Sequence, residues 1–268
     1  MSKKRYIICF EFLGTNFFGS QKQPDKRTVQ GEIEKALCTL IKDKVNIIPS
    51  GRTDAKVSAE YQVAHFDVLE KIANPNNFLY KLNCILPDDV KVFELREVSA
   101  DFHAQKTAKY KHYRYVIQNN RVASVFCNNC NLFYPYKELN IERLNQSLSY
   151  LIGHHDFSAF KSNSDNPYND CEIYFAKAIE KISGRQKFIF IDIIGNRFLY
   201  NMVRTIVGQL LLIERNELNP NVMDEVLKSK DRTKAANVIN AEGLILKYVG
   251  YDDVENYIQK INSQKEGK

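Results

Sequence analysis

The order in which two kinds of hydrophobic repeat follow one another restricts the fold of this chain more than any other feature. Residues 5–14 (RYIICFEFLG) alternate with period two, Tyr6, Ile8 and Phe10 on one face and Ile7, Cys9 and Glu11 on the other, as a strand does. After a loop of Gly, Gln, Lys, Pro and Asp, Thr28 can cap a helix carrying Val29, Ile33, Leu37, Leu40 and Ile41 on one side. Strand patterns then cover 45–49 and 57–68, a helix 75–84 and a strand 90–98. The same order returns. A strand is expected over 103–118, and a helix from Asn140 that buries Ile141, Leu144, Leu148 and Ile152 and stops at Gly153. Strands at 171–183 and 186–195 meet in a hairpin at SGRQ, a helix takes 197–213, and GLILKYVGY is the last strand, with a short helix around 221–229 before it.

Two successive β-α-β-β-α-β units predict an α+β protein of two ferredoxin-like halves, residues 1–102 and 103–268. If their sheets join edge to edge, they share one large, mostly antiparallel sheet with helices on one side and a central cleft open on the other. The turn at Asp54 and the hairpin at Gly184 then occupy equivalent corners. Such units host many activities, so function has to be read from particular residues.

With 268 residues, 44% of them hydrophobic and 12% aromatic, the chain can build two cores, which excludes a disordered polymer. No apolar run reaches bilayer length, and the start (MSKKRYIICFEF) enters a strand without a secretory cleavage site, so a cytoplasmic location is expected. The net charge of +6 suits a polyanionic partner without specifying one. Six cysteines are scattered, and Cys127 and Cys130 (CNNC) have metal-ligand spacing. No second close Cys or His pair completes a four-ligand set, so structural, reduced cysteines and no metal are expected.

Three stretches carry chemistry. In KTAKYKHYRYVI (106–117) the alternation puts Lys109, Lys111, Tyr113 and Tyr115 on one face, cations for phosphates and phenol rings for unstacked bases. A half-exposed strand solvated by lysine has the same pattern. In NRFLYNMVRTIVGQLLLI (196–213), apolar over most of its circumference, Arg204 has to find an acceptor, and Gly208 one turn on leaves room for another backbone. A carboxylate from elsewhere, a structural ion pair or snorkelling to water would each satisfy it; Asn201 and Arg197 lie on the same side. In SGRTDAKVS (50–58), Asp54 alone reads as a turn-former. The combination of a buried arginine, a basic-aromatic strand and a corner aspartate gives it another reading, as a catalytic group.

Together these segments resemble the tRNA pseudouridine synthase A family over nearly the whole chain: FFGSQKQPDKRTVQGEIEKAL, GRTDAKVSA, LPDDV, DFHAQKTAKYKHYRYVI, LIGHHDFSAFKS, FLYNMVRTIVGQLL, KDRTKAA and AEGLILKYVGY. The resemblance implies that Asp54 is the nucleophile or base, that Tyr113 stacks on the target uracil, that Arg204 pairs with Asp54, and that Arg52 contacts RNA and helps extrude the base. It also implies tRNA as partner, embraced by a homodimer, uridines 38 to 40 of the anticodon stem-loop as targets, and no metal or organic cofactor; the strand pattern itself adds Lys109 and Lys111 as RNA-binding residues, and the fold a central cleft for the RNA. The chain departs from the family's usual residues at Ser20 (Trp), Lys56-Val57-Ser58 (Gly-Val-His) and Gln105 (Arg), which bears on RNA grip and the range of uridines. Two other readings compete: an inactive RNA-binding module, and a hydrolase with paired carboxylates. The hydrolase lacks a second acid near the motif, since Glu60 and Asp67 read as strand-surface charges.

Overall fold

The computed structural model describes residues 3–127, 130–163 and 167–266. The chain divides into two compact units, the first Met1–Ala108 with Leu246–Tyr251 and the second Lys109–Ile245 with Asp252–Lys268. The class is α+β, with ten strands and six α-helices among the described residues.

The first unit runs β1 (Lys4–Phe12), α1 (Val29–Ile41), β2 (Ile48–Pro49), β3 (Ser58–Val68), α2 (Pro75–Ile85) and β4 (Val90–Val98). β1 lies between β3 and β4, antiparallel to both, and β2 pairs with β3. This is the ferredoxin-like arrangement. The Thr28 side chain accepts from the Gly31 N–H at 3.3 Å and so starts α1. Ile33 and Leu37 are buried, as are Tyr6, Ile8 and Phe10. Burial on β1 is not one-sided: Ile7 and Cys9 are covered too.

The second unit contains β5 (Tyr110–Gln118), β6 (Leu132–Phe133), α3 (Ile141–Ser149), β7 (Gly153–Asp156), β8 (Asp170–Ser183), β9 (Gln186–Gly195), α4 (Met202–Arg215), α5 (Val222–Ser229), the start of β10 (Leu244–Gly250) and α6 (Val254–Glu266). Its strands follow the order β5-β9-β8-β7, with β6 parallel to β5. The Val116 N–H donates to the Gly243 carbonyl at 2.8 Å, tying the entry of β10 to β5.

Several expected bounds shift, each for a local reason. The strand expected over 103–118 begins only at Tyr110, because His103 accepts from the Gln105 and Lys106 N–H groups through Nδ1 and folds that stretch into turns. Of 45–49 only Ile48–Pro49 is strand. The helix expected over 197–213 starts at Met202, since Asn201 is left-handed (φ 60°), so Arg197 precedes it. α3 ends at Ser149, leaving Ile152 outside and exposed. The C-terminal stretch (INSQKEGK), which reads as a frayed end, is helical as far as Glu266.

Candidate functional site

Asp54 sits in the turn between β2 and β3. The Val57 N–H donates to the Asp54 carbonyl at 3.2 Å, and Lys56 takes a left-handed conformation at φ 68°. The loop at 14–20 fastens this turn from one side. The Thr53 N–H donates to Ser20 Oγ at 2.8 Å, the Ser20 N–H donates to the Thr53 carbonyl at 3.1 Å, and the Gly14 N–H donates to Ser58 Oγ at 2.9 Å. Gly19 (φ 90°) allows the approach, since a Cβ there would lie 3.2 Å from the Thr53 carbonyl oxygen. On the other shoulder, the Gln62 amide donates to the Gly51 carbonyl at 3.1 Å. The result exposes Arg52 and leaves Asp54 half-buried, both on a backbone pinned from two sides.

Two of the unusual residues are therefore part of the support. Ser20 is buried and bonds the turn's backbone, and Ser58, also buried, accepts from the backbone of the 14–20 loop, whereas Lys56 and Gln105 are exposed. Thr53 is buried as well, and its hydroxyl has no hydrogen-bond partner among the described residues.

The other site residues belong to the second unit. Tyr113 lies on β5 opposite Ile193, 9% exposed, edge-on to Phe198 with ring centroids 5.0 Å apart. Tyr115, on the same face, is fully buried and donates to the Asn240 carbonyl at 2.7 Å, so it serves the packing. Arg204 is half-buried, donating from Nε to the Ile239 carbonyl at 2.8 Å and from Nη1 to Asn201 Oδ1 at 2.7 Å. Asn201 in turn donates from Nδ2 to Ser162 Oγ at 3.0 Å. The backbone that meets Arg204 comes in over Gly208, where a Cβ would stand 2.5 Å from the Asn237 carbonyl oxygen.

Lys109 is exposed just before β5, and Lys111 is half-buried on it. Burial, and then the Arg197 charge, pull the Lys111 ammonium down to about 8. The opposite face of β5 is structural. There the Arg114 guanidinium holds Asp192 at 2.7 and 3.0 Å, and His112 contacts the same carboxylate at 2.9 Å and the Tyr257 hydroxyl at 3.0 Å. Burial alone would push Asp192 up; hydrogen bonds from His112 and Arg114, with their charges, outweigh it and hold the carboxyl well below the usual carboxylate range. Among the described residues no three His, Cys, Asp or Glu side chains group as a metal site, and no described helix is long and apolar enough to cross a membrane.

Sequence reasoning missed Ser20, Ser58, Asn201 and the Ile239 carbonyl as the groups that orient Asp54's turn and Arg204. Gly208 was the one visible signal, marking where a second backbone had to arrive.

The first unit thus carries an exposed arginine and a half-buried aspartate on one clamped turn, and the second carries a buried tyrosine and an arginine oriented by its acceptors. The family description "tRNA pseudouridine synthase" matches residues 8–105 and 148–252. The chain is similar to tRNA pseudouridine synthase A of Thermoanaerobacter sp. (strain X514), 40% identical over 91% of this chain and 98% of that protein. It is similar to the proteins of the same name from Brevibacillus brevis, 38% identical over 94% of this chain and 100% of that one, and from Anoxybacillus flavithermus, 40% identical over 93% and 100%. The chain belongs to the tRNA pseudouridine synthase family, and its activity is the isomerisation of uridine to pseudouridine.

Proposed function

We propose that this chain converts uridines 38, 39 and 40 of the tRNA anticodon stem-loop to pseudouridine, working as a homodimer in the cytoplasm. Asp54 is the catalytic carboxylate. Arg204 pairs with it and fixes its direction, as a planar guanidinium can and a lysine cannot. Tyr113 stacks on the extruded uracil, Arg52 holds the displaced backbone, and Lys109 and Lys111 take phosphates.

The reaction breaks N1–C1′, turns the freed uracil and forms C5–C1′. The proton lost from C5 is balanced by one gained at N1, so composition is unchanged and no electrons are transferred overall. A single carboxylate can serve by attacking C1′, by attacking C6, or by removing the C2′ proton. Each route needs the nucleoside out of the stack, at a cost of a few kcal/mol.

The observation that supports the reading is the clamped turn, in which three hydrogen bonds from backbone N–H groups fix Thr53 and Ser58 on either side of Asp54 and so hold the backbone that carries it and Arg52. Asp54→Asn keeps the shape and removes the charge. Expected is a loss of pseudouridine in the anticodon arm to the assay's background, with the melting temperature retained. Product formed at the normal rate by that variant, free of carried-over enzyme, would refute the assignment.

A further inference from the structure

Lys111 occupies a setting in which proteins seldom leave a lysine. It lies on β5 opposite Gly195, two residues before Tyr113 and on the same face. It is half-buried, and among the described residues it makes neither a hydrogen bond nor an ion pair. Besides burial, the one charge that acts on it is that of Arg197, two residues beyond Gly195, and the two repel. Arg197 spends one N–H on the Tyr168 carbonyl at 3.3 Å.

The opposite face of the same strand gives the contrast. There Arg114 has a fully buried carboxylate, Asp192, on two of its nitrogens. β5 thus carries a matched ion pair on one face, and on the other Lys111, whose charged neighbour is a second cation, Arg197, just past the end of β9. A desolvated, unpaired cation destabilises the folded protein. An anion that arrives with the substrate removes that penalty and gains charge-assisted hydrogen bonds.

We propose that Lys111 and Arg197 together seat one phosphodiester of the RNA backbone beside the nucleoside held at Tyr113. This rests on the reading of the chain as an RNA-uridine isomerase. The guanidinium offers a planar fork to the two non-bridging oxygens and the ammonium a point charge. Side chains two apart on a strand are separated by roughly 7 Å, so base and phosphate of neighbouring nucleotides fall within one span.

The test is the affinity of an anticodon-arm stem-loop RNA as a function of salt, for the wild type, Lys111→Met, Arg197→Gln, the double variant and Lys111→Arg. Each single neutralisation should weaken binding by about tenfold or more at fixed salt. The double variant should lower the slope of log K against log salt by about 0.7–0.9, one phosphate's worth. Lys111→Arg should keep the wild-type slope, and Lys111→Met should melt at a higher temperature because it removes an unpaired cation. An unchanged slope in the double variant, or a fall about twice as large, overturns the proposal. So does Lys111→Arg behaving as Lys111→Met, or Lys111→Met melting lower. Turnover by the wild type is measured in parallel. Absence of pseudouridine there removes the isomerase reading while the slope still decides the phosphate seat, and normal turnover with an unchanged slope removes the seat alone.

Discussion

Ser20 shows how a single hydroxyl 33 residues away from the active turn controls it. It accepts the Thr53 N–H at 2.8 Å, while its own N–H donates to the Thr53 carbonyl. Ser20→Ala leaves the first of these donors buried without a partner, at a cost of about 1–3 kcal/mol. Because the loss falls on the backbone beside Asp54, kcat should drop by about tenfold with KM little changed, since misplacement by a fraction of an ångström acts on the reacting geometry and not on RNA grip. Steady-state kinetics on tRNA check this; a raised KM with normal kcat would make Ser20 an RNA contact instead. That alternative is the one the sequence invited. Asp54, Arg52, Tyr113 and Arg204 could be named as candidates because each stands in a motif, whereas the partner of a buried N–H depends on a long-range approach that no spacing records.

At the scale of elements, α4 carries Arg204, and its close contact at Gly208 sets where the Ile239 carbonyl falls. Gly208→Ala puts a methyl 2.5 Å from the Asn237 carbonyl oxygen and forces the 236–239 segment outward. Overpacking of this kind costs about 1–3 kcal/mol. The expected result is a lowered melting temperature together with a larger loss of kcat than the stability change accounts for, because Arg204 loses an acceptor. Thermal unfolding and turnover measured on the same variant separate the two; a loss of stability with normal kcat would dissociate Gly208 from Arg204. Element types were readable from the periods, two and 3.6, and their ends were not. Helix and strand starts are set by single conformations such as the left-handed Asn201 and the His103 turn, which the periodicity does not contain. α6 was readable and overlooked: Val254, Tyr257, Ile258 and Ile261 follow the i, i+3, i+4, i+7 spacing of one helix face, and all four are half-buried, but lysines around them mask the signal.

At the scale of the whole molecule, the two units should respond differently to acid. In the first, His65 is 2% exposed on β3, and its Nδ1 accepts the Ala104 N–H at 3.1 Å. Burial first, then the charges of Arg5 and His103, lower its pKa to about 4, against the opposing pull of Asp67 and a hydrogen bond with the Ile48 backbone. A histidine kept neutral in the folded state changes nothing above its unfolded value near 6.5. As pH falls from there towards 4 the unfolded chain binds the proton and the folded chain does not, so stability is lost across that window, on the order of 3 kcal/mol at its end. The second unit's Asp192 has the same sign of dependence, losing stability as pH falls, but in another window. Its stabilisation is present above the unfolded carboxylate value and is lost only as pH falls through the folded one, which lies well below. Between pH 6.5 and 4, then, the first unit weakens while Asp192 stays fully ionised. Hydrogen exchange at pH 7 and pH 5, corrected for the intrinsic pH dependence, should show protection falling more in β1, β3 and β4 than in β5, β8 and β9. His65→Asn, whose amide oxygen can take the place of Nδ1 without titrating, should bring the two units' responses together. If the wild-type units lose protection equally, or the Asn variant keeps the difference, His65 is not the group that sets the acid sensitivity of the first unit.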